Sequence, residues 1–216
     1  MSELFSIQRQ NRQQQGRDGV WLDLPTTTEQ VQAALRQIGI SSDNPQGLFI
    51  SGYFAEEEKR IAIPYNMVLA SNVDELNFLA SRLETLSTGE RAELNAALQA
   101  PQSELFSIGR ITDFPENVDY YVHLPDVHGP AQLGDYYLNR SGMVDMPEEW
   151  KGGIDTAQFG RYVAQQERGV FTEYGYLVKS GDVWQKVHEG QPVPEEYRVL
   201  SFPVPEVMRD ATNRQR

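Results

Sequence analysis

Between residues 18 and 208 the chain carries 29 acids against 13 bases, a net charge of −16, and this imbalance constrains the fold more than any other feature. Like charges gathered in a small volume repel one another and weaken the compact state, so the scaffold must hold its carboxylates apart or in water. Crowding is sharpest over residues 113–149, where Asp113, Glu116, Asp119, Asp126, Asp135, Asp145, Glu148 and Glu149 face Arg140 alone. Basic residues collect at the ends instead: Arg9, Arg12 and Arg17 at one, Arg209, Arg214 and Arg216 at the other. Those ends are expected to be solvated.

Hydrophobic residues make up 39% of the chain and aromatic residues 10%, which is more apolar material than a disordered polyanion contains. At 216 residues it can bury a sizeable core. With no cysteine, disulfides and thiolate metal sites are excluded. Neither a leader-like apolar run nor a stretch of about 20 apolar residues occurs. A soluble, cytoplasmic protein is the expectation.

Residues 19–25, GVWLDLP, predict a strand ended by Pro25. The following TTTEQVQAALRQIG predicts a helix with a capping box from Thr26 to Glu29, an apolar face of Val31, Ala34, Leu35 and Ile38, and Gly39 past its end. GLFISGYF (47–54) predicts a strand and IAIPYNMVL a further extended piece. From Ser71, read as a cap, Leu76, Leu79, Leu83 and Leu86 form a helical stripe, and GERAELNAALQA gives a second helix before Pro101, completing a central helical hairpin. Beyond it, ELFSI, DYYVHLP, GVFTEYGYLV and YRVLSF predict strands, while PAQLGDYYLN and TAQFGRYVAQQ predict helices. Boundaries fall at 1–69, 70–102 and 103–205, with a tail at 206–216.

SELFSIQR at 2–9 returns as SELFSIGR at 103–110, and WLDLP is echoed by YVHLP. The pattern reads as an internal pseudo-repeat, two α+β units flanking the hairpin.

His123, Asp126 and His128 offer metal-type ligands within six residues, but Pro125 and Gly129 mark a turn and the remaining histidine, His188, is sixty residues away. The acid clusters sit among turn residues and other charges, where no carboxyl is set apart as a raised-pKa acid. No Gly-x-Ser-x-Gly elbow, phosphate loop, Gly-x-Gly-x-x-Gly or calcium loop occurs. Tyr120, Tyr121, Tyr136, Tyr137, Phe159, Tyr162, Tyr174 and Tyr176 lack the cationic groove that base stacking requires and are assigned to core or half-buried positions.

GVWLDLPTTTEQVQAALRQIGI, VDELNFLASRLETL, QLGDYYLNRSG and GIDTAQFGRYVAQQERGVFTEYGYL, in that order over about residues 18–180, resemble the ArdA family of antirestriction proteins. Thr156 stands where that family commonly has tyrosine, and the family's acid after the Gly-Arg pair is absent after Arg161. The resemblance implies an elongated α+β protein of small mixed-sheet domains, often dimeric, that imitates B-form DNA and occupies the DNA site of type I restriction-modification enzymes without catalysis or cofactor. It implies no direct nucleic-acid binding and no membrane. Under it, Glu56, Glu57, Glu58, Asp74, Glu75, Glu84, Asp113, Glu116, Asp119, Asp126, Asp135, Asp145, Glu148 and Glu149 stand in for phosphates, and Arg161 fixes local geometry.

Charge alone falls short of that task. About 30 base pairs present roughly 60 phosphates, whereas two −16 bodies carry 32 charges. A rigid shape already fitted to the enzyme makes up the difference by avoiding the cost of bending DNA, on the order of 1–6 kcal/mol. Two other classes remain open on the residues: an acidic binding protein for another basic, DNA-associated partner, and a carboxylate hydrolase.

Overall fold

The computed structural model describes residues 4–11, 19–40, 48–56 and 60–200. Its described residues form two compact units: one from segments 1–59, 68–81 and 193–216, the other from 60–67 and 82–192. Each holds a small three-stranded antiparallel sheet beside helices, an α+β architecture.

In the first unit β1 (Phe5–Asn11) lies between β2 (Val20–Leu24) and β3 (Leu48–Phe54). Phe5 pairs with Leu24 and Ile7 with Leu22, so the apolar side chains of both strands share one buried face. Arg9 does not belong to a solvated end. It sits in the central strand, buried, its pKa lowered to about 10 by desolvation and partly restored by the Asp74 carboxylate.

Helix α1 (Thr28–Gln37) packs on β2 through Val31, Ala34 and Leu35, with Ile38 buried just past its end, and Gly39 takes the positive φ of 68° there. Its capping box is Thr27 with Gln30, one residue later than the spacing suggests. The reason is tertiary: the Thr26 N–H donates to Asn77 Oδ1 at 2.7 Å and is no longer available to open a helix.

Residues 65–70 are not extended. Pro64 precedes a short helix, α2 (Tyr65–Ala70), and its carbonyl accepts from Met67 N at 2.9 Å. Helix α3 (Val73–Leu83) is opened by Asn72 rather than Ser71, because Asn72 and Glu75 exchange reciprocal side-chain to backbone bonds. Helix α4 (Thr88–Gln99) begins with the equivalent box of Ser87 and Glu90. Leu76, Leu79, Leu83 and Leu86 are all buried, as their period predicts.

The pseudo-repeat fails at its best match. Leu4–Ile7 enter β1, whereas the identical Leu105–Ile108 turn into α5 (Ile108–Thr112), with Ser107 Oγ accepting from Arg110 N. Phe5 is 3% exposed and Phe106 is 59% exposed. Sheet order differs as well, with the hairpin at the start of the first sheet (β1–β2) and at the end of the second.

That second sheet orders β4 (Tyr121–Leu124), β6 (Gly175–Lys179) and β5 (Val170–Thr172), so residues 169–178 form a hairpin rather than one strand. Gly175 closes it at φ 119°, where a side chain would also meet the Leu124 carbonyl. Tyr197 ends a 3-10 turn from Glu195, and Arg198–Leu200 are irregular; no described part of YRVLSF is a strand.

Helix α6 (Pro130–Asp135), continued as a π-helical turn over Tyr136–Arg140, crosses α8 (Thr156–Glu167) at backbone contact. A Cβ on Gly134 would lie 1.9 Å from the Thr156 carbonyl oxygen, and one on Gly160 1.8 Å from that of Pro130. Both glycines fall in the family-like stretches, so packing accounts for them. Around the crossing Val127, Leu133, Ala164 and Tyr176 form the core, flanked by Tyr136, Tyr137 and Phe171. Tyr137 and Tyr176 both donate to the Glu167 carboxylate. Of the aromatic positions expected inside or half-buried, Tyr162 alone is exposed.

Replacing Gly134 or Gly160 with alanine forces these helices apart and is expected to cost about 1–3 kcal/mol or more. Gly89→Ala, in open space on α4, is expected to gain about 0.5 kcal/mol. Urea unfolding of the three variants measures the contrast.

Candidate functional site

An acidic side chain serves a partner only if the fold leaves its oxygens free, and the fourteen acids expected at the surface separate on that criterion. In the first unit Glu56 is exposed after β3, and Glu57 and Glu58 lie outside the described residues. Asp74 is half-buried and accepts from Val199 N and Leu200 N, both at 2.8 Å. Glu75 is held in the α3 cap.

In the second unit Asp113 is corrected outright. It is 0% exposed, and its two oxygens accept from His188 N at 2.6 Å and Glu189 N at 3.3 Å. A carboxylate saturated by backbone donors inside the protein has nothing to offer a partner. Its neighbour Asn117 completes the same anchor, accepting from Gln185 N at 2.7 Å and donating to Gln185 O at 3.0 Å.

Four further acids are half-buried or paired. Glu116 bonds Arg82. Asp135 meets Arg140 at 3.2 Å and accepts from Asn139 at 2.8 Å. Glu148, itself exposed, meets Lys151 at 3.0 Å. Glu84, past the end of α3, has one enclosed oxygen without a hydrogen-bond partner among the described residues.

Asp119, Asp126, Asp145 and Glu149 are exposed, with no hydrogen bond or ion pair among the described residues. They lie in turns and irregular chain, or on the single-turn helix α7 (Glu148–Lys151), where no neighbouring helix face can supply a lysine at i+4. Such carboxylates are open to cations brought by a partner.

His123 Nε2 contacts the Tyr174 carbonyl oxygen at 2.7 Å, while Asp126 and His128 are exposed. No group of three or more histidine, aspartate or glutamate side chains among the described residues is arranged to hold a metal ion. None of their helices is long and apolar enough to cross a membrane.

One cluster escaped the sequence reading. Glu93 on α4 faces Glu90 on its own helix and Asp119 from the 3-10 turn Val118–Tyr120, and one of its oxygens is enclosed without a partner among the described residues. Burial, then Glu90, then Asp119 push its pKa up to about 8. The i, i+3 spacing of Glu90 and Glu93 was the available signal; the approach of Asp119 is tertiary. Other acids passed over are structural: Asp155 caps α8, and Glu104, held below its usual range chiefly by Lys179, also bonds Tyr120 and Arg110.

Because folding raises the Glu93 pKa, the folded chain holds a proton between about pH 4.5 and pH 8 that the unfolded chain has released. Stability therefore falls as pH rises through that window. Glu93→Gln is expected to match the native chain near pH 4 and to exceed it at pH 9. The gain is about 1–2 kcal/mol, since a half-buried carboxylate is partly screened by water. Urea unfolding at the two pH values measures it. Asp113→Asn is expected to lose about 1.5–3 kcal/mol through weakened charged hydrogen bonds, whereas Asp119→Asn leaves stability unchanged or raises it.

The family model described as "Antirestriction protein (ArdA)" matches residues 15–178. None of the curated proteins compared with the chain matches it. The matched span takes in the exposed carboxylates Asp119, Asp126, Asp145 and Glu149 as well as the glycine crossing of α6 with α8. On that coverage, three quarters of the sequence and the scaffold that carries its free acids, the chain belongs to the ArdA family of antirestriction proteins.

Proposed function

We propose that the chain counters restriction by offering its exposed carboxylates, as surrogates for DNA phosphates, to the DNA-binding site of a type I restriction-modification enzyme. The observation that carries the reading is the set Asp119, Asp126, Asp145 and Glu149: exposed, unpaired and drawn from separate turns of one unit. Glu148, exposed though it meets Lys151, and exposed Glu56 of the first unit add their charge, with Glu57 and Glu58 by sequence. Asp74, Glu75, Glu84, Glu116 and Asp135 add to the negative field while also holding structure; Asp113 is left out.

The chain acts stoichiometrically, as a homodimer in the cytoplasm of a restricting host, and turns over no substrate. Enzymes that grip DNA do so largely through arginine and lysine contacts to phosphate, a surface that attracts any rigid anion of similar spacing. Because the charge is dispersed, no single acid dominates.

Single Asn or Gln substitutions at Asp119, Asp126, Asp145, Glu148 and Glu149 are expected to weaken inhibition of type I cleavage by about 1.5- to fivefold each, accumulating as they are combined. Abolition by one substitution with no effect from the others, in a plasmid-cleavage assay, points instead to a single catalytic carboxylate.

A further inference from the structure

We propose that Trp150 and the carboxylates beside it on α7 form a docking point for a guanidinium-bearing protein surface. Trp150 is 67% exposed, and its indole has no ring contact, cation or hydrogen bond among the described residues. Trp184, by contrast, is buried edge-on to Tyr120 at 5.1 Å, and Trp21 lies against Gly52 on the first sheet.

A single exposed indole is ordinary. The surrounding charge makes this one informative. Glu148 and Glu149 precede it on the same turn, Asp145 lies just ahead, and Met143 is 74% exposed. Across residues 141–155 the one cation is Lys151, whose side chain is largely buried and whose ammonium is spent on Glu148.

A group that covers the indole settles on a stretch whose exposed charges, Asp145, Glu148 and Glu149, are negative, so it is favoured if it brings positive charge. A purely apolar partner leaves those carboxylates without a counter-charge, and nucleic acid would be repelled. Arginine meets both demands, since its plane stacks on an indole face while its fork donates to a carboxylate. The inference rests on the phosphate-surrogate reading and sharpens it: at this point the chain grips an arginine that DNA would hold through phosphate alone.

The test titrates the full-length chain with nona-arginine and nona-lysine peptides, following tryptophan emission and subtracting the signal of Trp150→Phe. Nona-arginine is expected to perturb the Trp150 emission, and Trp150→Ala to weaken its binding by about two- to fivefold with a smaller effect on nona-lysine. Unchanged nona-arginine affinity in Trp150→Ala, in a protein with native circular dichroism, overturns the proposal. Equal losses for both peptides overturn it too, since they indicate general charge attraction. If the arginine preference holds but the native chain leaves labelled DNA on a type I methyltransferase, the docking point stands and the phosphate-surrogate reading fails.

Discussion

Irregular backbone can be buried only if each of its N–H and C=O groups finds a partner, and in this protein helix-borne and turn-borne amides and carboxylates supply them. Asn77 bonds Thr26 N and Tyr197 O; Asn95 bonds Ala62 N and Arg60 O; Asn117 takes both polar groups of Gln185. Asp74 and Asp113 do the same for pairs of successive N–H groups at 199–200 and 188–189. Segments too proline-rich or too short for sheet pairing are thereby fixed within each unit. This requirement sorts the acids, because those recruited to anchor backbone have their oxygens occupied by N–H donors and the remainder are left in water.

Elements with a clean period were legible. The faces of α1 and α3, the buried stripe through Leu86 and the strand that ends before Pro25 follow from spacing that admits one solution. What was not legible came from partners distant in sequence. Asn77, fifty-one residues away, displaces the α1 cap by one residue. Arg9 read as part of a polar end because the strands that bury it and the carboxylate beside it lie elsewhere in the chain. The candidate site divides the same way: Asp119, Asp126, Asp145 and Glu149 sit among turn residues that announce exposure, whereas nothing local distinguishes Asp113 from them.

Repulsion tolerated in the folded state gives this sorting its functional weight. Glu93 stands against Glu90 and Asp119 at a cost to stability, and the free acids of 119–149 have few internal cations to offset them. A scaffold held by glycine contact at Gly134 and Gly160 and by buried amides can carry such a surface, since neither device depends on surface charge balance. Membership of the ArdA family supplies the context in which an uncompensated anionic surface has a use.

The central claim is that this surface and duplex DNA compete for one place on the enzyme. Fluorescence anisotropy of a labelled duplex bound to a type I methyltransferase, titrated with the purified chain, measures this directly. The account predicts complete, stoichiometric release of the duplex, with an apparent affinity that weakens in proportion to added DNA. A ternary complex that keeps its DNA while restriction is blocked would contradict it.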